Sequence, residues 1–511
     1  MPLRDKLAQL MFVRIGSNLP PVRTVEEDEQ RIARLLEECP LGGLVLFNGR
    51  YETTPATLAR LQAASRYPLL VSADLERGVG QQLRGYPLFP HAMAFEALGA
   101  GAAAAVRQFA LLTGQASRAA GVHINFAPVA DVNSDPRNPI IATRAFGTDP
   151  ARVSQLIAAC IEGSRAGGLL ATAKHFPGHG DTHEDSHHAL PTVAADREEI
   201  MSREIVPFRA AIDAQVPLIM SAHVRYPALD PTGAAATLSR PILTTLLREE
   251  LGFTGAAVSD SLLMEGVKIG SASEGELALK ALHAGVDILL DVADPLAVLQ
   301  SLEAAVAAGR LVEHRVDEAL ARVGKLKETA FAADPPGPFD ESVNRRQTDE
   351  LAFDVAWRAA QVYKNDNSLL PLKGDRSLCA ILVNPFPLPS NADAPPLGRL
   401  LQDRFDRVEY FEVGADPAPA LLDQAAKSAL GAEQILAAFV VKPAAWHRFG
   451  LPSALGGWLD ELARRRPLVA ACLGPTQGLE SVPSAAATLA MFSDVPASQQ
   501  ALVEVLRAGP R

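Results

Sequence analysis

Over roughly the first 330 residues, short apolar segments rich in β-branched residues alternate with longer stretches of helical periodicity. Candidate strands fall at 10–15, 43–47, 69–73, 123–129, 169–174, 218–223, 255–259 and 287–290. Helical patterns at 28–38, 102–119, 150–166 and 198–214 lie between them. Apolar strands separated by amphipathic helices require a parallel sheet covered by helices. Eight such strands in one run fit a closed (β/α)8 barrel, the TIM-barrel architecture, better than an open sheet. The barrel is expected over residues 1–331.

A break follows. Ala332-Ala-Asp-Pro-Pro-Gly-Pro-Phe-Asp cannot continue a helix, and 332–375 reads as linker and connecting helix, the helical pattern running over 348–363. Further strands at 379–383, 408–411, 435–441, 468–472 and 488–492 alternate with helices, so 376–511 is expected to form a smaller three-layer α/β/α domain. The overall class is α/β.

Composition narrows the function. Of 511 residues, 59 are acidic and 48 basic, a net charge of −11, which disfavours a nucleic-acid binder that relies on a basic surface. No apolar run reaches the roughly 18 residues a membrane span needs. The start, Met1-Pro-Leu-Arg-Asp-Lys, lacks the pattern of a secretory signal. Cys39, Cys160, Cys379 and Cys472 are widely spaced with no CxxC pair, the usage of a reducing compartment. A cytoplasmic protein without a membrane span is expected; the oligomeric state is open.

Polar residues collect just beyond the carboxyl ends of the candidate strands, where this architecture places active sites. Strand three runs into Asp74-Leu-Glu-Arg-Gly-Val-Gly, and strand four into Asp131-Val-Asn and on to Arg144-Ala-Phe-Gly. Strand five ends at Lys174-His175, strand six at His223 and strand seven at Asp260. The segment from Lys174 to Pro191 holds five of the eleven histidines, with Asp181, Glu184 and Asp185. Imidazoles and carboxylates there suit either a zinc or iron site or acid–base chemistry. For single residues, architectural readings stand beside these. Asp260 fits a helix N-cap, and Lys174 and Arg144 fit ion pairs with Asp131.

Lys174-His-Phe-Pro-Gly-His-Gly-Asp-Thr followed by Asp185-Ser-His resembles the signature of family 3 glycoside hydrolases, in their β-N-acetylglucosaminidase branch. Asn125-Phe-Ala-Pro-Val-Ala-Asp-Val, Arg144-Ala-Phe-Gly, Ser221-Ala-His-Val, Ala236-Thr-Leu-Ser, Leu251-Gly-Phe-Thr-Gly, Ser259-Asp-Ser-Leu-Leu-Met and Leu282-His-Ala-Gly-Val-Asp match further blocks in order. The resemblance implies a retaining double displacement on a terminal β-linked N-acetylglucosamine. Asp260 would be the nucleophile, His187 the general acid/base and Asp185 its partner. Asp74, Arg144, Lys174, His175 and His223 would bind the sugar, while His179 and Asp181 shape the loop and His183 and His188 face solvent. The carbohydrate is the implied partner, with cell-wall muropeptide or chitin fragments as substrates, and no cofactor or metal is expected.

One block departs from the family pattern. After strand three the acetylglucosaminidases show Asp-Gln-Glu-Gly-Gly, whereas Asp74-Leu-Glu-Arg-Gly places Arg77 where a glycine is usual, which bears on sugar preference. Alternatives within the family are a β-glucosidase or β-xylosidase and a β-N-acetylglucosaminide phosphorylase. Outside it are a metal-dependent hydrolase, against which the lack of a helical HExxH counts, and an inactive sugar-binding barrel.

Overall fold

The structure, a computed structural model, describes residues 1–182, 190–268, 271–332, 339–386, 396–443 and 449–509. The chain divides into two compact units, 1–87 with 101–348 and 88–100 with 349–511. Among the described residues no helix is long and apolar enough to cross a membrane.

The first unit is a barrel of eight parallel strands: β1 (Met11–Ile15), β2 (Gly43–Leu46), β3 (Leu70–Ala73), β4 (Ile124–Asn125), β5 (Leu170–Phe176), β6 (Leu218–Ser221), β7 (Ala256–Val258) and β8 (Leu289–Leu290). Hydrogen-bonded order follows chain order, with β8 beside β1. A parallel bridge between Val258 and Ile288 closes the last gap. Every candidate strand of the sequence reading overlaps one of these. Nearly every strand residue is buried, as expected when side chains fill the barrel inside and helices cover it outside.

Local chemistry fixes where the helices begin. Val25–Glu38 starts at a capping box in which Thr24 and Glu27 exchange hydrogen bonds. Pro150–Ala166 starts with Asp149 accepting the Arg152 amide and Pro150 in the first turn. This helix packs closely on Ala102–Ala119, since a Cβ on Gly163 would lie 2.2 Å from Arg107 O and one on Gly114 only 2.9 Å from Gly167 Cα. Glycine at these positions brings both helices into one tight layer outside β4 and β5.

The second unit is a six-stranded sheet of β9 (Gln361–Asn365), β10 (Ser377–Val383), β11 (Arg407–Val413), β12 (Gln434–Val440), β13 (Val469–Leu473) and β14 (Ala487–Ala490). Its order is β9-β14-β13-β12-β10-β11. All pairs are parallel except β9 with β14. Alternate residues of β10 and β12 enter two separate cores: Leu378, Ala380 and Leu382 pack with Leu397 and Leu502, while Cys379, Ile381 and Val383 pack with Ala425 and Leu459. Helices on both faces give three layers. β9 lies inside the stretch expected to be linker and connecting helix. It is an edge strand without a fully buried residue, so it carries no apolar alternation for the sequence to display.

Candidate active site

Asp74, Lys174, His175, His223 and Asp260, picked from the sequence, stand at or just beyond the carboxyl ends of barrel strands. Asp74 directly succeeds β3 and Lys174 lies in β5. Lys174 Nζ donates to Asp74 Oδ1 and Glu76 Oε1, both at 2.7 Å. Arg144 grips the same Glu76 with two N–H groups, Nε to Oε2 at 2.9 Å and Nη2 to Oε1 at 2.8 Å. Lys174 is 3% exposed, and these two carboxylates engage two of its three ammonium donors. Burial works against the Glu76 charge, but Arg144 and Lys174 together hold its carboxyl well below the usual range. Burial likewise opposes the Lys174 charge, and Asp74 and Glu76 overcome it, so the ammonium holds its proton more tightly than a free lysine.

The sequence reading offered Asp131 as the partner of Lys174 and Arg144, and the structure corrects this. Asp131 is fully buried and turns to the histidines instead. Its Oδ1 accepts the amides of His175 at 3.1 Å and His179 at 2.8 Å, and its Oδ2 lies 2.8 Å from His175 Nδ1. His175 Nδ1 is thereby committed to Asp131.

Asp260 lies two residues beyond β7 and is half-buried. It does not cap a helix: the next one starts at Glu265, and Oδ1 accepts the amide of its own neighbour Ser261 at 2.7 Å. Burial raises its pKa, but His223, His175, the Ser261 amide and Lys174 more than offset that and keep it below the ordinary aspartate value. His223 is 1% exposed. Its Nδ1 lies 2.8 Å from Thr237 Oγ1, and its Nε2 donates to Ser261 O at 3.0 Å. Its ring therefore braces the Asp260 loop.

The root of the histidine segment is described as far as Thr182. His179 is buried against Thr182, its Nδ1 2.9 Å from Thr182 Oγ1, and burial beside His175 pushes its pKa down to about 4. Asn138 Nδ2 donates to the carbonyls of His179 at 2.8 Å and Gly180 at 2.9 Å. Arg203 donates to Asp181 at 2.9 Å and to the buried Glu204 at 2.7 Å. His183, Asp185, His187 and His188 lie outside the described residues.

Sequence reasoning missed Glu76 as the shared counter-ion of Lys174 and Arg144, although its position two residues after Asp74 marks it as facing the same mouth. It also missed Arg14 and Asp291. Arg14 lies in β1 and Asp291 just beyond β8; Arg14 donates to Asp291 from Nε at 3.0 Å and also from Nη2. Ser261 Oγ donates to Asp291 Oδ2 at 2.7 Å.

Comparison with known proteins bears on this geometry. The family described as "Glycosyl hydrolase family 3 N terminal domain" matches residues 2–326. Beta-hexosaminidase A of Pseudoalteromonas piscicida is 31% identical over 395 residues, which are 69% of this chain and 64% of that protein. Beta-hexosaminidase of Idiomarina loihiensis is 34% identical over 304 residues, 58% of this chain and 88% of that protein. Among solved structures, a glycoside hydrolase family 3 beta-N-acetylglucosaminidase from Paenibacillus sp. strain FPU-7 superposes with a TM-score of 0.88 at 28% identity, covering 100% of this chain and 97% of that one.

Proposed function

The chain belongs to glycosyl hydrolase family 3, and from that premise we propose a retaining β-N-acetylglucosaminidase that removes terminal β-linked N-acetylglucosamine. Asp260 attacks the anomeric carbon and forms a covalent glycosyl-enzyme as the aglycone leaves. His187, paired with Asp185, gives the leaving oxygen its proton and then takes one from the water that releases the sugar. Asp74 accepts from sugar hydroxyls, and Arg144, Lys174 and His175 donate to them through charge-assisted bonds that penalise a missing hydroxyl. His223 lines the site and steadies the nucleophile loop.

The observation that carries this reading is the place of Asp260, half-buried two residues beyond β7 with its Oδ1 held by the Ser261 amide, where His223, His175, that amide and Lys174 keep its carboxyl below the ordinary aspartate value. A carboxylate kept charged suits attack at an oxocarbenium-like centre. The relatives named beta-hexosaminidase support the acetamido sugar. Cell-wall or chitin fragments are the proposed substrates and the cytoplasm the proposed location, which four buried, unpaired cysteines fit.

Turnover of 4-nitrophenyl N-acetyl-β-glucosaminide beside the matching glucoside, with chelator present, tests this. The acetamido substrate should be preferred and chelator should not matter. Preference for the glucoside would move the specificity, release of sugar 1-phosphate in phosphate buffer would make the enzyme a phosphorylase, and silence on both would reject the activity.

A further inference from the structure

Asp260 is oriented through its neighbour. Because Oδ1 accepts the Ser261 amide, Oδ2 is left for the anomeric carbon, and the direction of the carboxylate follows the Ser261 peptide. That residue is gripped from two sides. Its hydroxyl donates to Asp291 Oδ2 at 2.7 Å, and its carbonyl accepts from His223 Nε2 at 3.0 Å. Asp291 is in turn fixed. Both its oxygens receive N–H groups of Arg14, whose guanidinium lies 4.6 Å from the centre of the Phe47 ring. Asp291 is 2% exposed and has φ +63°, a left-handed conformation that aspartate tolerates better than most residues. From that turn just after β8, its carboxylate meets the loop after β7.

We infer that Arg14 and Asp291 are positioning residues for Asp260, acting through the hydroxyl and peptide of Ser261. The inference rests on Asp260 being the nucleophile. An ion pair that merely tied β1 to β8 would need only Arg14 and Asp291; the Ser261 hydroxyl extends the chain of contacts to the reacting group. Groups from beside three adjacent strands, β7, β8 and β1, thus determine the aim of one carboxylate. Aim matters here, because a displacement of about 1 Å in a reacting pair costs about 100-fold in rate.

The test uses a 5-fluoro-N-acetylglucosaminyl fluoride. Asp260 Oδ2 bonds to its anomeric carbon as fluoride leaves, and the glycosyl-enzyme then turns over slowly enough for mass spectrometry to locate the label. Rates are expressed per labelled site, so unfolded protein does not enter them. Wild type should carry the label on Asp260. Ser261→Ala and Asp291→Asn should each be labelled at least about tenfold more slowly, with the inhibition constant of free N-acetylglucosamine nearly unchanged, and Ser261→Thr should recover most of the lost rate. Asparagine also tolerates the left-handed turn, so Asp291→Asn removes the charge and not the backbone conformation. Label on Asp260 at wild-type rates in both variants would overturn the inference and leave the nucleophile standing. So would equal losses in labelling rate and product affinity, the mark of a site that has collapsed. Label on another residue, or none on wild type, would overturn the nucleophile assignment and the inference together.

Discussion

Asp260 and Glu204 are two carboxyl groups of the same barrel unit that burial treats alike and their neighbours treat differently. At Asp260, two imidazoles, an ammonium and an amide outweigh desolvation. At Glu204, Arg203 opposes it, while Asp131 and Asp181 add to the burial penalty, and the carboxyl is pushed up to about 7 from 4.5. Among the described residues its Oε2 has no hydrogen-bond partner. The folded protein therefore keeps a proton on Glu204 that the unfolded chain releases between pH 4.5 and about 7, and this group lowers stability as pH rises through that window. Glu204→Gln removes the effect. Relative to wild type the variant should gain up to about 3 kcal/mol between pH 5 and pH 8, measurable by urea denaturation at both. A variant difference that does not change with pH would refute the raised pKa. Asp260, Lys174 and His175 could be picked out as candidates in the sequence because each stands at a strand end. The Arg14–Asp291 pair was not: its members are 277 residues apart in sequence, and one chain offers no sign that two such positions meet.

At the scale of elements, the barrel separates chemistry from closure. β7 and β8 are joined by a short run of contacts, and near the amino-terminal end of β8 the fully buried Asp287 ties several elements together. It accepts the Ala257 amide at 2.9 Å, Arg248 at 2.7 Å, Arg315 at 2.8 Å and Arg322 at 3.0 Å. Burial, with Arg322 and Arg315 close by, already lowers the Arg248 pKa to about 10 despite the Asp287 charge. Asp287→Asn leaves three guanidinium groups without their anion and should cost about 3–5 kcal/mol, read as a lower midpoint in denaturant, with kcat/KM per folded molecule unaltered. A loss of kcat/KM at full stability would show that this end of the barrel reaches the mouth. Most barrel strands were visible from the sequence since they are short, mainly apolar segments bounded by helical patterns. β9 escaped because an edge strand with exposed polar residues has no such run.

On the scale of the whole molecule, each unit completes its own core, the first as a barrel and the second as a sheet sandwiched by helices. The net charge of −11 is a property of the full chain, and the proposed sugar-binding cluster does not share it. Asp74, Glu76, Lys174 and Arg144 contribute two negative and two positive charges within a few ångströms of one another. Such a cluster is a small patch of internal salt, strongly polar at contact distance and nearly fieldless beyond it. An uncharged glycoside entering it meets ionic hydrogen-bonding groups without being drawn by a long-range potential. KM for a neutral aryl N-acetylglucosaminide should therefore stay constant from about 0.05 M to about 0.5 M sodium chloride, whereas a site that bound through net charge would weaken steadily as the ions screened it.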